Sequence, residues 1–303
     1  MRVFVAGASG ALGLPIVKEL IRLGHSVAAM TRSEQGRARL EGLGATIEEV
    51  DAFDPQGLRD ALRRSSPEVV VDQLTALPKN PAELPSAFPH DRRLRLEGGA
   101  NLHAAAKACG VRRYIQQSSG FYLKARVGKI ADELDGFEID ASPNISLGAQ
   151  MFRALEERTL GDPEMEGVAL RYGFFYGPNT WYNPDGGAAD QVRGQSLAII
   201  GDGQAMSSFI HVDDAAIGTV AAITAAPGIY NIVDNDPTPV QDWLPRFAKW
   251  IGAPPPPHIS EEQALSITGP DAVYYHTKLN GASNAKAKRE LALRPRRLEW
   301  LSV

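Results

Sequence analysis

The stretch VFVAGASGALGLPIVKELIRLG, residues 3–24, decides how the chain folds. Its opening VFVAGA is a short apolar run of the kind that forms a buried strand. From Leu12 to Gly24 the apolar residues recur every three or four positions, as on one face of a helix. Between the two lie Gly7, Gly10 and Gly13. A strand that turns through glycine into a helix aims the helix's unpaired N–H groups and positive dipole end back at the turn, and a pyrophosphate is held there. Gly7 makes the turn, Gly10 lets the backbone approach the phosphates, and Gly13 lets the helix lie close to the strand. Gly7, Ser9, Gly10, Ala11, Leu12 and Gly13 are therefore the expected dinucleotide contacts.

The alternation continues outward. HSVAAMTR (25–32) is strand-like, ATIEEVD (45–51) is a strand, PQGLRDALRRS (55–65) a helix and EVVVDQL (68–74) a strand. A long helix is expected across 91–109, then the strand RRYIQQSS (112–119), a helix at 146–160 and a sixth strand within GVALRYGFFYGP (167–178). Near-continuous apolar strands separated by helices predict an α/β fold with a doubly wound parallel sheet, the Rossmann arrangement. Residues 76–90 carry four prolines and read as a surface loop. The remainder, with PPPP at 254–257, reads as a smaller, partly helical part. The expected organisation is a nucleotide-binding domain over 1–170, to which the chain returns around 205–235, and a substrate-binding domain over 171–204 and 236–303.

Composition excludes several classes of function. A formal net charge of −4 over 303 residues offers no basic surface for nucleic acid or an anionic membrane. Small molecules are the expected partners. The single cysteine, Cys109, rules out a disulfide framework or a cysteine-rich zinc site, fits a reducing cytosol, and is expected as a small buried residue on a helix. No histidine–carboxylate spacing suggests a metal. Met1 leads directly into RVFVAGAS without a signal-like pattern. The longest uncharged apolar run, 215–226, is too short to span a bilayer. A soluble, cytoplasmic protein is expected.

The glycines are spaced GxxGxxG, and several later segments follow in an order that resembles the extended short-chain dehydrogenase/reductase superfamily, which includes the NAD-dependent epimerase/dehydratase family. The matching segments are Asp51 at the end of the third strand, GVRRYIQQSSGFY (110–122), LRYGFFYGP (170–178) and IIGDGQAMSSFIHVDDAA (199–216). The resemblance covers nearly the whole chain. It implies a nicotinamide cofactor, further contacted by Asp51, Ala52, Leu74, Thr75, Gln117, Tyr172 and Phe174. It also implies a homodimer built through a four-helix bundle from helices 91–109 and 146–160. An NAD-binding fold places a carboxylate at the end of the second strand to hold the ribose 2′-hydroxyl. Here that strand ends Met30-Thr31-Arg32-Ser33, and Glu34 comes too late. Arg32 suits a 2′-phosphate instead, so NADP is expected, with NAD the alternative.

The resemblance further implies a tyrosine and a lysine, spaced YxxxK, on the helix at 146–160. That helix reads SLGAQMFRALEE over 146–157. Aligning Glu156 or Glu157 with the family's acid puts Gly148 or Ala149 in the tyrosine's place and Phe152 or Arg153 in the lysine's. The literal YxxxK at Tyr274–Lys278 lies in the C-terminal region and reads as a chance match. Nearer groups form the expected catalytic set: Ser118, four residues before Tyr122, to hydrogen-bond a substrate oxygen; Tyr122, or else Tyr172, to supply a proton; Lys124, or else Lys129, to supply charge. Either tyrosine also reads as a wall of the cleft. Phe174, Phe175, Tyr176, Trp181, Tyr182 and His211 are the expected substrate side, better suited to an apolar or aromatic molecule than to a sugar. Gln204–Ser208 contains no basic residue to meet a diphosphate. Of Asp213 and Asp214, one is expected to cap a helix and the other to anchor a loop.

Three functions follow from these features. The first is an NADP-dependent oxidoreductase that moves hydride between the nicotinamide and a carbonyl or alcohol of a small apolar or aromatic molecule. The second is an epimerase or dehydratase that uses the nicotinamide transiently. The third is a cofactor-binding sensor without turnover.

Overall fold

The computed structural model describes residues 1–126 and 129–302. Seven strands form one sheet: β1 Arg2–Ala6, β2 Ser26–Met30, β3 Thr46–Glu48, β4 Val69–Asp72, β5 Arg113–Ser119, β6 Glu166–Tyr172 and an edge strand Gly228–Ile232. Their order is β3-β2-β1-β4-β5-β6-edge, and every neighbouring pair is parallel. The strand order reverses between β1 and β4, where such a sheet opens a crevice at its carboxyl ends.

The helices are α1 Gly13–Arg22, α2 Glu34–Leu43, α3 Pro55–Ser65, α4 Leu84–Arg93, α5 Gly99–Ala108, α6 Pro143–Leu160, α7 Gly187–Arg193, α8 Val212–Ala221, α9 Val240–Trp250, α10 Glu261–Ile267, α11 Pro270–Thr277 and α12 Ala285–Glu290. Among the described residues no helix is long and apolar enough to cross a membrane. Val3 and Val5 face Ile16, Val17 and Leu20 of α1, while Phe4 and Ala6 face Leu58 and Leu62 of α3 and Leu102 of α5. Burial on both faces explains why the strands read as unbroken apolar runs. α3 matches the sequence reading residue for residue. The Asp54 carboxylate accepts the N–H of Gln56 and Gly57 at 3.1 and 3.0 Å, a cap worth about 1 kcal/mol.

The structure corrects several boundaries. The proline-rich segment 76–90 is a loop only in its first part, because α4 begins at Leu84. Pro85 stands in its first turn, where no N–H is required. Pro89 also lies within α4, which then widens into a π-helical turn, Leu94–Gly98, before α5. The single helix expected over 91–109 is therefore a bent unit with an earlier start. α6 starts at Pro143 rather than 146. The sixth strand ends at Tyr172, and Phe174–Tyr176 pairs instead with Phe209–His211. Cys109 caps the end of α5 and is only half-buried.

A second core is strongly aromatic. Tyr176, Phe209, Trp243, Phe247 and Trp300 are all buried in it, and Phe209 and Phe247 each meet Trp300 edge-on at 5.0 and 5.2 Å between ring centres. Ala149, Phe152 and Leu155 of α6 close it on the sheet side.

Candidate active site

At the end of β1 the glycine turn has the form its spacing predicts. Gly7 takes a left-handed φ of +73°, and a β-carbon there would stand 2.3 Å from the Gln73 carbonyl oxygen. At Gly13 it would stand 2.1 Å from the Gly7 carbonyl oxygen. At Gly10 the one neighbour within 4 Å would be the Gly7 carbonyl oxygen at 3.2 Å, so the turn presents bare backbone. The N-terminus of α1, at Leu12 and Gly13, has no side-chain cap. Glycine backbone and an uncapped helix end fit a pyrophosphate. Ser9 lies beside the turn and accepts the Thr31 hydroxyl at 3.1 Å. Arg32 reaches across the strand ends to the Asp51 carboxylate, and both side chains are exposed. The two expected cofactor residues thus form one pair. Ser33 caps α2 through Gly36 N–H at 3.0 Å, so hydroxyls and a guanidinium cluster at the end of β2.

The other expected cofactor residues scatter. Ala52 and Leu74 are buried, Thr75 is exposed, and the Gln117 amide oxygen accepts from Arg95 at 3.4 Å. Tyr172 is a correction. Its ring is buried in the core, and its hydroxyl pairs with Thr219 at 2.6 Å and accepts from Gln73 at 3.3 Å. Burial drives its pKa up, and its hydroxyl is already engaged by Thr219 and Gln73.

The expected catalytic triplet does not assemble. Ser118 is buried and donates to Glu156 Oε1 at 2.6 Å. Glu156 in turn takes two hydrogen bonds of 2.7 Å from Arg171, whose guanidinium also donates to the Asp135 carbonyl at 2.9 Å. This ion pair is buried and satisfied. Glu156 faces inward while Glu157 is exposed, and Gly148 and Phe152 lie with Glu156 on the buried face of α6, the register that sets them opposite the tyrosine and lysine the resemblance implies. Lys124 is a second correction, since it is 63% exposed and 3.4 Å from Glu138 at the surface. Lys129 is exposed as well.

Tyr122 fills the space that Gly148 leaves. A β-carbon at Gly148 would meet Tyr122 Cε2 at 3.1 Å. The Tyr122 hydroxyl lies 2.5 Å from that of Tyr275 on α11. The motif at Tyr274–Lys278 reads as a chance match in the C-terminal region, yet the fold carries its second tyrosine to this point. Nothing local in the sequence signals it, because 153 residues separate the two hydroxyls. α11 is tethered to the start of α6, where Ser142 Oγ and Asn144 Nδ2 donate to Asp271 at 2.5 and 2.7 Å. In the π-helical turn, Arg95 pairs with Asp91 at 2.7 Å in the interior, and its guanidinium lies 5.3 Å from the Phe152 ring centre. Burial pushes the Tyr122 phenol up to about 12, with opposing help from Tyr275 and Arg95.

Around this hydroxyl pair stand aromatic rings. Phe121 stacks on Phe174 at 4.5 Å, and Phe174 lies 6.0 and 6.2 Å from Tyr182 and Tyr275. All four are partly exposed. Phe175 leans on Tyr172 instead, and Tyr176 is buried beside His211 and Trp300. Trp181 donates to the Pro78 carbonyl at 2.9 Å, pinning the proline-rich loop. His211 proves to be a cap. Its Nδ1 accepts the Asp213 N–H at 3.1 Å, and burial lowers its pKa. Neither aspartate caps α8; Asp214 instead takes three hydrogen bonds from the backbone and side chain of Arg296.

A glycine turn shaped for a dinucleotide, in a parallel sheet with aromatic rings clustered just beyond the carboxyl ends of β5 and β6, defines a nucleotide-dependent redox protein of the Rossmann class. The chain belongs to the NAD dependent epimerase/dehydratase family, whose model matches residues 3–233. It is an enzyme of the NAD(P)-dependent oxidoreductase type. It is 36% identical over 302 residues to the 3-diazoavenalumate denitrifying reductase of a Streptomyces species, covering 99% of this chain and 98% of that protein. It is 26% identical to the 2-alkyl-3-oxoalkanoate reductase of Stenotrophomonas maltophilia, over 84% of this chain and 77% of the other. Among solved structures, the UDP-glucose 4-epimerase of Thermus thermophilus in complex with NAD superposes with a TM-score of 0.73 at 23% identity, covering 99% and 96% of the two chains. That likeness is one of fold.

Proposed function

We propose that the protein is an NADP-preferring reductase that passes hydride to a carbonyl of a small planar, aromatic substrate. The observation that carries this reading is the cluster of half-buried rings, Phe121, Phe174, Tyr182 and Tyr275, at the carboxyl ends of β5 and β6. Such walls hold flat apolar molecules by area and ring geometry. Similarity to two proteins named as reductases supports the reductive sense. Bound nicotinamide would supply the hydride. The chain's own part is to seat the pyrophosphate on Gly7–Gly13, to read a 2′-phosphate with Arg32 beside Ser9, Thr31 and Ser33, and to hold the acceptor against the rings. In this reading Arg32 exchanges Asp51 for the phosphate.

Fluorescence titration with NADPH and NADH tests the cofactor half. Arg32→Ala is expected to weaken NADPH at least tenfold and leave NADH unchanged; equal loss for both would sink the preference. Oxidation of NADPH by a panel of aromatic aldehydes and quinones, against aliphatic ketones of equal size, tests the substrate half. The surface placement of Lys124, and Phe152 in place of a lysine, favour a second reading, a cofactor-binding sensor, which tight NADPH binding without turnover would support. The proposal includes a cytoplasmic homodimer that covers the exposed Leu147 and Leu160 of α6, testable by sedimentation.

A further inference from the structure

We propose that Tyr275, brought in by α11, is the residue that gives a proton to the substrate oxygen, and that Tyr122 is the positioning residue that holds it through their hydroxyl contact. The inference deepens the reductase reading and rests on it. Its basis is geometric. α6 presents Gly148 and Phe152, which carry no exchangeable proton, on its buried face. Against Gly148 lies the Tyr122 ring, whose hydroxyl meets, among the described residues, that of Tyr275 at 2.5 Å. Of the two, Tyr275 is the more exposed and also borders the Phe174 wall at 6.2 Å. Tyr122 lies behind it, buried.

The balance of the step is simple. The hydride, two electrons and a proton, would come from a reduced nicotinamide held on the Gly7–Gly13 turn and bond to the carbonyl carbon, so that the carbonyl π pair moves onto oxygen. The Tyr275 O–H bond breaks as an O–H bond forms on the substrate. The Tyr122 hydroxyl keeps its hydrogen bond to the Tyr275 oxygen and steadies its charge, and solvent restores the proton to Tyr275, the more exposed of the two. The titratable and charged groups that face the pair are Asp91 on α4, Arg95 on the π-helical turn, Asp271 and Tyr274 on α11 and Tyr182 after β6, while the α6 residues against it are Gly148 and Phe152. Burial keeps both phenols protonated through the neutral range. In that state the Tyr275 hydroxyl can donate to an oxygen placed beside it.

The first test needs no turnover. 4-Nitrophenolate, a planar oxyanion, is titrated into the cofactor-free protein. Wild type is expected to bind it, Tyr275→Phe to bind at least tenfold more weakly, and Tyr122→Phe by an intermediate factor. Tyr274→Phe, on the same helix with no hydroxyl partner in the pair, serves as the folding control and should match wild type. No binding by wild type, or equal binding by all four proteins, overturns the proposal. In NADPH-dependent reduction Tyr275→Phe should lose kcat by about 10²-fold or more, in the range of a lost general acid, with NADPH affinity unchanged. Tyr122→Phe should lower kcat about tenfold at constant KM; a larger loss for Tyr122→Phe than for Tyr275→Phe overturns the assignment. If the phenolate results hold and no carbonyl compound is turned over, the reductase reading fails while the hydroxyl pair stands.

Discussion

At Gly13 a β-carbon would overlap a backbone carbonyl at 2.1 Å, and backbone cannot swing aside as a flexible side chain does. Gly13→Ala is therefore expected to push α1 off the strand and abolish the stabilisation that NADPH gives in thermal melts, even if the variant still folds. Ser118 calls for a different expectation. Its hydroxyl serves the Glu156 carboxylate, so Ser118→Ala should cost stability, about 1.5–3 kcal/mol for a lost hydrogen bond to a charged group. Urea denaturation measures this, and a kcat loss without a stability loss would show that the serine meets substrate instead. The cofactor turn was legible in the sequence because glycine spacing between a strand and a helix is a local signal. Which hydroxyl meets which was not. Ser118 and Tyr122 were found by spacing, but their hydrogen-bond partners, Glu156 and Tyr275, lie 38 and 153 residues away.

At the level of elements, α6 carries the departure that matters most. Gly148→Ala should raise the intrinsic helix preference of α6 by about 1 kcal/mol. The added methyl, 3.1 Å from the Tyr122 ring, must displace that ring by a few tenths of an ångström. A small net change in stability with a clear fall in kcat is expected, measured by denaturation and steady-state kinetics on one preparation. A fall in stability alone would show that the ring's position is not critical. The alternation of strands and helices was readable throughout, since each strand is buried on both faces and reads as one apolar run. α4 was not readable, because Pro85 and Pro89 are ordinary punctuation marks. They are tolerated here because one lies in the first turn and a π-helical turn follows the other. The end of β6 within 167–178 was not readable, because the aromatic residues after Gly173 continue the apolar pattern in a different pairing.

The whole molecule joins a sheet core to an aromatic core, and ionisable groups buried within it set its response to acid. Burial lowers His103 and His276 to about 4 and raises Asp234 to about 7. A histidine depressed in the folded state lends stability above its unfolded value near 6.5 and loses it as pH falls toward 4. A raised aspartate acts in the opposite sense, with its contribution complete below about 4 and lost as pH rises toward 7. Over pH 4–6.5 two histidines thus oppose one aspartate, and the urea midpoint should fall on acidification. His276→Leu, which removes a buried ring nitrogen without a partner, should flatten that fall, whereas an unchanged slope would place the sensitivity elsewhere. The tether of Ser142 and Asn144 to Asp271 has a consequence at this scale. It fixes α11 to the same helix whose missing side chains Tyr122 and Tyr275 replace. The distance between the two oxygens is therefore held by a strut outside the phenols themselves, and Asp271→Asn, which cuts no ring, should loosen the pair.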